Sequence, residues 1–330
     1  MATTHAQKRA ATETHHDSPR GKPALRVLSL GAGVQSSTLL LLAVEGAIPR
    51  FDAAIFADTG WEPREVYAHL DRMEQTAARV GIPILRVSTG NLRTDLLNPT
   101  RPSAYLPLFV RNPDGTRGLL ARQCTHNYKI RPIKAKIREL LGYPHPRRVP
   151  PGVFAEQAIG ISLEEIHRAK DADVRYLRNV FPLLNLGWTR ADCHAVLTAK
   201  GWPDVPKSAC LGCPFHGNTA WRRIRDTDPD AWAELLDFDA AIRHGLPRTR
   251  AMGRPPRGTF YLHRSCRPLA QASLDDDTHT ADPDGCSPWS CRNGSAEQSP
   301  PATEPAPATP APAQADQVRP GAARREGETR

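Results

Sequence analysis

Short apolar segments alternate with longer amphipathic segments along the first half of the chain. The strand-like segments are LRVLSL at 25–30, AAIFAD at 53–58, ILRVST at 84–89 and FAEQAIGIS at 154–162. The segments predicted as helices are 35–46, 62–80 and 132–141. Buried strands that alternate with crossover helices are typical of α/β proteins. The pattern therefore predicts an α/β fold with an open, mostly parallel sheet and helices on both faces.

The pattern changes after Phe181, where loops and short helices replace the alternation. The helices predicted there are 190–200, 218–226 and 229–243. Thr189 is expected to cap the first of them, and Ser162 with Glu165 has the spacing of a capping box for a helix after the fourth strand. Residues 98–118 are predicted as a long loop that contains Pro and Gly, and a loop of that length indicates a functional role.

Both ends of the chain differ in composition from its middle. The N-terminal segment is polar, and the tail contains the run PATEPAPATPAPAQA, which has too little apolar surface to offset chain entropy. The predicted organisation is a disordered segment at 1–23, an α/β domain at 24–180, a small helical region with cysteines at 181–271 and a disordered, acidic Pro- and Ala-rich tail at 272–330.

Charge separates the tail from the rest of the chain. The 330 residues carry a net charge of +9, and the tail holds ten acidic and five basic residues, so the rest carries +14. A basic body points to anionic partners such as nucleotides, oxyanions or nucleic acid. The longest apolar run, Leu39 to Val44, is far shorter than a bilayer span. We expect a cytoplasmic protein without membrane contact, in which the seven cysteines are ligands or reactive thiols.

The sequence SLGAGVQSST at 29–38 lies between the first strand and the first helix, where backbone N–H groups and the helix dipole attract an anion. Gly31 and Gly33 permit close approach of the backbone, and Ser36, Ser37 and Thr38 offer hydroxyl donors. The loop is therefore predicted to hold a phosphate or sulfate. The alternative is a tight turn without a ligand.

Two other nucleotide loops fit this segment less well. A Walker A loop requires a lysine that is missing here. A dinucleotide-binding loop would match two glycines, with Asp58 at a suitable distance, but Ser36 stands at the third glycine position. Asp58 and Thr59 end the second strand at the edge where such sheets bind ligands, so we expect them to face an adenosine. The alternative is that they cap the next helix.

Four cysteines of the predicted folded region have contexts that suggest chemistry. Cys210 and Cys213 form a CxxC pair on a loop, a spacing that directs two thiolates at one metal. Completing a four-thiolate site with Cys124 and Cys193 predicts an iron–sulfur cluster. Structural zinc, with His194 or His216 as a substitute ligand, a thioredoxin-like dithiol and ordinary buried thiols are the alternatives.

Cys124 is surrounded by cations in the sequence. The basic residues near it are Arg122, Lys129, Arg131 and Lys134. Adjacent cations favour the thiolate, so Cys124 is the predicted nucleophile that accepts or relays sulfur. The same cations are candidate ligands for the sulfate or phosphate of a substrate.

Several segments together resemble the PP-loop ATP pyrophosphatase superfamily and, within it, the phosphoadenosine phosphosulfate (PAPS) reductase-like family. The matching segments are SLGAGVQSST, IFADTGWEPREVYAHL, RQCTHNYKIRPI, IGISLEEIHR and KSACLGCPF. Gln35 and Gly31 replace the aspartate and the first serine of the family's loop. The nucleotide-binding residues that the resemblance implies are Ser29, Gly31, Gly33, Gln35, Ser36, Ser37, Asp58, Thr59, Gly60, Gly160 and Ser162.

The resemblance implies an adenine nucleotide (PAPS, APS or ATP), possible Mg²⁺ and an iron–sulfur cluster of the 4Fe-4S type or zinc. The expected activity is thiol-dependent reduction of a sulfonucleotide to sulfite, with a thioredoxin-like reductant. One alternative is an ATP-dependent enzyme that thiolates tRNA or DNA, with a cysteine desulfurase as partner. Another is a non-catalytic nucleotide-binding module with structural zinc. The Glu-Cys-Gly motif of reductase tails is absent, and Cys266, Cys286 and Cys291 remain without a role.

The stretch TAWRRIR at 219–225 combines a tryptophan with three arginines. Such a combination can stack on and neutralise a nucleic acid strand. The other interpretation, which we favour, is a solvated basic face with Trp221 in the core.

Overall fold

The computed structural model describes residues 21–101, 106–253 and 256–275, all of which lie in one compact unit. The strands are β1 (Leu25–Leu30), β2 (Ala53–Asp58), β3 (Ile84–Ser88), β4 (Phe109–Arg111), β5 (Arg117–Leu119), β6 (Ala155–Ile159), β7 (Leu177–Val180) and β8 (Thr259–Tyr261). The predicted disordered ends lie almost entirely outside the described residues, as do Cys286 and Cys291.

Helices connect and cover these strands. They are α1 (Val34–Val44), α2 (Arg64–Ala78), α3 (Leu92–Leu97), α4 (Arg131–Leu140), α5 (Pro182–Leu186), α6 (Arg190–Ala199), α7 (Asn218–Thr227), α8 (Pro229–Ile242) and α9 (Pro247–Ala251). A π-helical segment, His126–Ile130, precedes α4, and 3₁₀ segments occupy Leu163–Arg168 and Leu269–Gln271. Within the described part of the chain, no helix has the length and apolar character of a membrane span.

Five parallel strands form the main sheet in the order β3, β2, β1, β6, β7. Alternate side chains of β1 point to opposite faces, so that Leu28 and Leu30 enter a core with α1 and α2, whereas Val27 enters a core with α4. Helices therefore cover both faces, and the predicted α/β fold class is confirmed. The parallel arrangement also brings the carboxyl ends of β1, β2 and β6 to one edge.

A second, antiparallel sheet has the order β5, β4, β8. The prediction of a long loop without strands over 98–118 is therefore wrong for β4 and the start of β5. Strands of three residues are too short for a period of two to appear in the sequence. Together with α7 and α8 they surround a separate core that contains Trp221 and Phe238.

The two predicted helix caps have different outcomes. Thr189 caps α6 as expected, because its hydroxyl accepts from the backbone N–H of Asp192 at 3.2 Å and the Asp192 carboxylate accepts from the N–H of Thr189. The capping box at Ser162 and Glu165 is wrong. The segment that follows is 3₁₀, and the Ser162 side chain makes no cap bond. Its hydroxyl instead receives a hydrogen bond from Gln35.

The TAWRRIR stretch lies on α7 with Trp221 fully buried, as the favoured interpretation predicted. Its arginines have protein partners: Arg222 donates to the Leu274 carbonyl, Arg223 pairs with Glu65, and Arg225 pairs with Asp226. This stretch is thus a paired, solvated face over the second core.

Candidate functional site

The segment from Gly31 to Ser36 forms a closed loop between β1 and α1. The Ser36 hydroxyl accepts from the backbone N–H of Gly31 and donates to the carbonyl of Gly33, both at 3.2 Å. Ala32 has a left-handed backbone with φ of +55°, which is strained for a residue with a Cβ atom. A strained residue in a loop before a helix N-terminus is a feature of ligand-binding loops. Ser29, at the end of β1, is buried before this loop.

Two other chain segments lie against this loop, which we call the anion loop. A Cβ atom at Gly160, just after β6, would lie 2.9 Å from the backbone nitrogen of Ser36. A Cβ atom at Gly33 would lie 2.9 Å from the Cβ atom of Ser208, which stands shortly before the CxxC pair. Gly33 and Gly160 are thus required for close packing, and the anion loop and the CxxC segment are neighbours.

The side chain of Ser37 contacts α2. Its hydroxyl lies 2.8 Å from Nε2 of His69 and 3.5 Å from the sulfur of Met73, both on α2. The side chain is fully buried in the core beneath the sheet edge. In this position the serine joins α1 to α2, so its contacts give no support to the predicted role as an anion donor, which stays a prediction.

Gln35, in the first turn of α1, is the centre of a polar network. Its Nε2 donates to the Ser162 hydroxyl and to Oε2 of Glu165, both at 3.3 Å. Its Oε1 accepts from Nη1 of Arg190 at 3.0 Å. The half-buried Arg190 is a cation beside the anion loop that sequence reasoning missed. Its only local signal is its position directly after the helix cap.

The predicted residues after β2 form a tight turn. The Asp58 carboxylate accepts from the N–H of Gly60 at 2.7 Å and from the hydroxyl of Tyr67 at 2.8 Å. Burial and Asp58 together raise the pKa of Tyr67, so that it remains a donor. The residue before α2 is Pro63, and it makes no side-chain cap bond. Asp58 therefore holds the turn at the sheet edge and does not cap α2.

The CxxC loop packs directly on this turn. The Thr59 hydroxyl lies 3.4 Å from the Cys210 sulfur, and the N–H of Leu211 donates to the carbonyl of Trp61 at 2.7 Å. A Cβ atom at Gly212 would lie 2.0 Å from the Trp61 ring, so this position requires glycine. The cysteine loop is therefore fixed against the carboxyl end of β2.

A buried ion pair lies beneath the CxxC loop. The Lys129 ammonium is 3.6 Å from Oε1 of Glu62, and the two side chains are only 5 % and 2 % exposed. The same Glu62 oxygen accepts from the Thr59 hydroxyl at 2.9 Å and lies 3.5 Å from the Cys210 sulfur. Lys129, which was predicted to bind the anion of a substrate, therefore forms a buried ion pair with Glu62. The sequence contained no signal for the role of Glu62.

Cys124 lies at the start of the helical segment that contains Lys129. Of the five cysteines in the described part of the chain, four are buried and Cys124 is half-buried. The Arg122 guanidinium lies 5.0 Å from the centre of the Phe215 ring, just beyond the CxxC pair. The π-helical segment that follows Cys124 is a rare element that occurs mostly at functional sites. Arg131 is exposed, whereas Lys134 pairs with Asp173.

The four predicted metal ligands do not form one set. Cys193 is fully buried in the core with α1, and its burial raises its pKa to about 11. Cys210 belongs to the other core. Among residues 21–101, 106–253 and 256–275, no three His, Cys, Asp or Glu side chains are arranged to hold a metal. The four-thiolate set does not fit this arrangement, so no step is assigned to a cluster.

Of the two histidines considered as alternative zinc ligands, one is exposed and the other contacts backbone carbonyls. His194 is exposed on α6. The Nε2 atom of buried His216 lies 3.0 Å from the carbonyl oxygen of Cys210 and 3.1 Å from that of Leu211. His216 thus donates to the backbone of the CxxC loop and holds its shape. The predicted metal stays a prediction.

We expect stability to fall below neutral pH because of two buried histidines. Burial lowers the pKa of both His69 and His216 to about 4, against about 6.5 in an unfolded chain. At pH values between about 4 and 6.5, each histidine is therefore neutral in the folded protein and binds a proton when the protein unfolds. The stabilisation present above about pH 6.5 is lost as the pH falls toward 4. From pH 7 to 5 the loss is about 1–2 kcal/mol per histidine. Urea unfolding at both pH values measures it.

A His69→Gln variant provides the control for this pH dependence. It should lose about half of the difference between pH 7 and pH 5, whereas replacement of the exposed His145 should leave the difference unchanged. Equal stability of the unmodified protein at pH 5 and pH 7 would contradict the assignment of neutral buried imidazoles.

Comparison with known proteins adds little to this description. No protein-family model matches the chain, and no curated protein matches it. A crystal structure of phosphoadenylyl-sulfate (PAPS) reductase from Candida auris, in a phosphate complex, aligns with 55 % of this chain and 73 % of that chain. The sequence identity is 13 % and the TM-score 0.31. At that level of similarity the alignment carries no conclusion, and the fold class rests on the parallel sheet itself.

Proposed function

We propose that this protein is an enzyme that binds an adenine nucleotide at the anion loop and performs sulfur chemistry with the Cys124 thiol. The leading reaction is the thiol-dependent reduction of a sulfonucleotide, PAPS or APS, to sulfite. The observation that carries the proposal is the convergence at one sheet edge. The CxxC segment touches the anion loop through Ser208 and the β2 turn through Thr59.

The geometry suits a nucleotide whose anionic group lies at the start of α1. No side chain caps the N-terminus of α1, so its backbone N–H groups can bind an anion, and Arg190 adds a positive charge beside them. Open α/β sheets bind ligands outside the carboxyl ends of their strands, which is where the β2 turn lies. These features support binding of the phosphate or sulfate at the anion loop, with the adenosine toward Asp58.

The proposed reaction proceeds in two displacements. The Cys124 thiolate attacks the sulfur of the sulfonucleotide, a sulfur–sulfur bond forms, and the sulfur–oxygen bond breaks as the adenosine phosphate leaves. An external dithiol, such as a thioredoxin-like protein, then attacks the Cys124 sulfur and releases sulfite. Its second thiol resolves the mixed disulfide, which restores Cys124 and leaves the reductant oxidised by two electrons.

A second candidate is ATP-dependent thiolation of tRNA or DNA, in which the enzyme first transfers an adenylyl group to the nucleic acid. A surface of exposed arginines on the small sheet, described below, favours it. Gln35 disfavours it, because an amide stands where the resembling family has a metal-binding aspartate.

Binding of PAPS, APS and ATP by calorimetry, followed by assay of sulfite release with a dithiol, tests the leading proposal. Tight ATP binding without sulfite release from either sulfonucleotide would overturn it in favour of the second.

The Gly160→Ala variant tests the location of the nucleotide site. The new methyl group would lie 2.9 Å from the backbone nitrogen of Ser36 and 3.0 Å from the Cβ atom of Gln35, so the anion loop must shift. We expect adenine nucleotides to bind at least about 10-fold more weakly, which corresponds to about 1.4 kcal/mol. Calorimetric titration with the nucleotide that the unmodified protein binds best measures the change.

The matched control is Gly118→Ala on β5, where the nearest atom to a new Cβ is 4.0 Å away. This variant should bind the nucleotide as the unmodified protein does. If Gly160→Ala retains full affinity while folded, the anion loop does not hold the nucleotide.

A further inference from the structure

The small antiparallel sheet presents a group of arginines that have no role in the reduction of a sulfonucleotide. Arg111 and Arg117 are directly opposite each other in the β4–β5 register, and both are exposed. Like charges directly opposite in a sheet repel each other and destabilise the pair. Both charges also lower the pKa of the Cys266 thiol, against the larger effect of burial, which raises it.

A third arginine lies at the same place. Arg257 is exposed just before β8, and Thr259 of β8 is paired with Arg111. A Cβ atom at Gly258 would lie 2.5 Å from the carbonyl oxygen of Arg111, so the segment that carries Arg257 packs tightly on β4. Arg111 and Arg257, with the exposed His244, line a shallow groove of about 440 Å³. We call Arg111 and Arg257, which line this groove, together with Arg117 on the adjacent strand β5, the arginine groove.

The arginine groove differs from the basic residues on α2, β3 and α7 that are named next in having no acidic partner among the described residues. Arg64, Arg86 and Arg223 each form an ion pair with an aspartate or a glutamate. Across the described ranges, no carboxylate is within ion-pair distance of the three arginines of the groove. The one acid of the hairpin, Asp114, accepts from the N–H and the hydroxyl of Thr116. Three charges without a carboxylate partner therefore lie at this end of the small sheet, and two of them, Arg111 and Arg257, line the concave surface.

We propose that the arginine groove binds the phosphodiester backbone of a nucleic acid. Guanidinium groups form bidentate hydrogen bonds with phosphate oxygens, and binding would relieve the repulsion between Arg111 and Arg117. A linear polyanion offers successive charges along one line, which matches three arginines on adjacent strands. The surface is distinct from the anion loop, so nucleotide binding and nucleic acid binding are separate properties of the chain.

The test compares two triple variants with the same change in net charge. The first replaces the arginines of the groove by glutamine (R111Q, R117Q and R257Q). The second replaces the paired arginines (R64Q, R86Q and R223Q). Fluorescence anisotropy with a labelled 20-nucleotide DNA single strand, and with RNA of the same sequence, gives affinities between 50 and 200 mM NaCl. Circular dichroism confirms that each variant is folded.

We expect the first variant to bind at least about 10-fold more weakly at 100 mM NaCl. The slope of log affinity against log salt concentration should become shallower by about 2, because each lost phosphate contact reduces that slope by roughly 0.7. The second variant should change affinity by less than about 3-fold. The preference for DNA or RNA identifies the partner. Binding of ATP or PAPS should be unchanged in both variants, which separates this proposal from the proposed function.

Three results would overturn the proposal. The first is an unmodified protein with no salt-dependent binding of either strand. The second is an equal loss in the two triple variants, which would show that net charge alone attracts the strand. The third is displacement of the DNA by polyglutamate of equal charge as efficiently as by unlabelled DNA, which would point to an acidic polypeptide instead.

Discussion

Replacing Lys129 with methionine should lower the free energy of unfolding by about 3–5 kcal/mol. The ammonium of Lys129 is the cation of the buried Glu62 carboxylate, at 3.6 Å. Methionine fills a similar volume without the charge, so Glu62 would keep the Thr59 hydroxyl bond and lose the opposing charge. A carboxylate without a cation in a buried site is costly because water no longer solvates it. Urea unfolding at pH 7 measures the loss.

The double variant Glu62→Gln, Lys129→Met separates this explanation from poor packing. Removing both charges leaves no unpaired ion, so the double variant should recover most of the stability that Lys129→Met loses. A double variant that is as unstable as the single one would show that Lys129 contributes through its packing. The exposed pair of Lys136 with Glu139 provides the contrast, since Lys136→Met should cost less than about 1 kcal/mol.

The periodic part of the fold could be predicted from the sequence because each strand is an apolar run followed by a helix. LRVLSL and AAIFAD match β1 and β2 residue for residue. The small sheet escaped prediction because its strands have only three residues each and because β4 also pairs with a strand far away in the chain, as Phe109 does with Tyr261. Such pairing depends on tertiary structure and leaves no local pattern in three-residue strands.

The sequence suggested individual candidate residues of the site but not the contacts between them. Loop chemistry singled out Gly33 and Ser36 and the sheet edge singled out Thr59 as candidates, and the structure brings the segments that carry them to one edge of the sheet. A helix turns by about 100° per residue, so Ser37, one position after Ser36, points into the core instead of the loop. The sequence also could not show that Glu62 and Lys129 would meet, since their pairing is decided by how the π-helical segment packs on the β2 turn.

The structure also changes the interpretation of the cysteines. Counting thiols in the sequence suggested one set of four, whereas burial separates them by environment. Cys193 is a core residue with a raised pKa, and Cys210 is buried beside an acid and a hydroxyl. Cys124 is half-buried at the start of a helical segment. A nucleophile must be reached by its substrate, so accessibility favours Cys124 as the reacting thiol.

Changing Cys124 to serine should therefore abolish turnover, with a loss on the order of 10³-fold or more, and leave nucleotide affinity within about 3-fold. The serine hydroxyl stays protonated at neutral pH and is a far weaker nucleophile than a thiolate, while its size and polarity preserve the site. The measurement is sulfite release from PAPS or APS with a dithiol, alongside calorimetric binding of the same nucleotide. Iodoacetamide should label Cys124 ahead of the buried cysteines, and bound nucleotide should slow that labelling.

The control is Cys193→Ala, which removes a thiol from the core beside α1 and should leave turnover within about 3-fold. Full activity in Cys124→Ser would exclude this thiol as the nucleophile. Loss of nucleotide affinity together with turnover would show instead that Cys124 is needed for the structure of the site. A variant that binds the nucleotide normally but fails to release sulfite would assign a chemical role to the Cys124 sulfur. The reason is that binding depends on the anion loop, whereas the displacement depends on the thiolate.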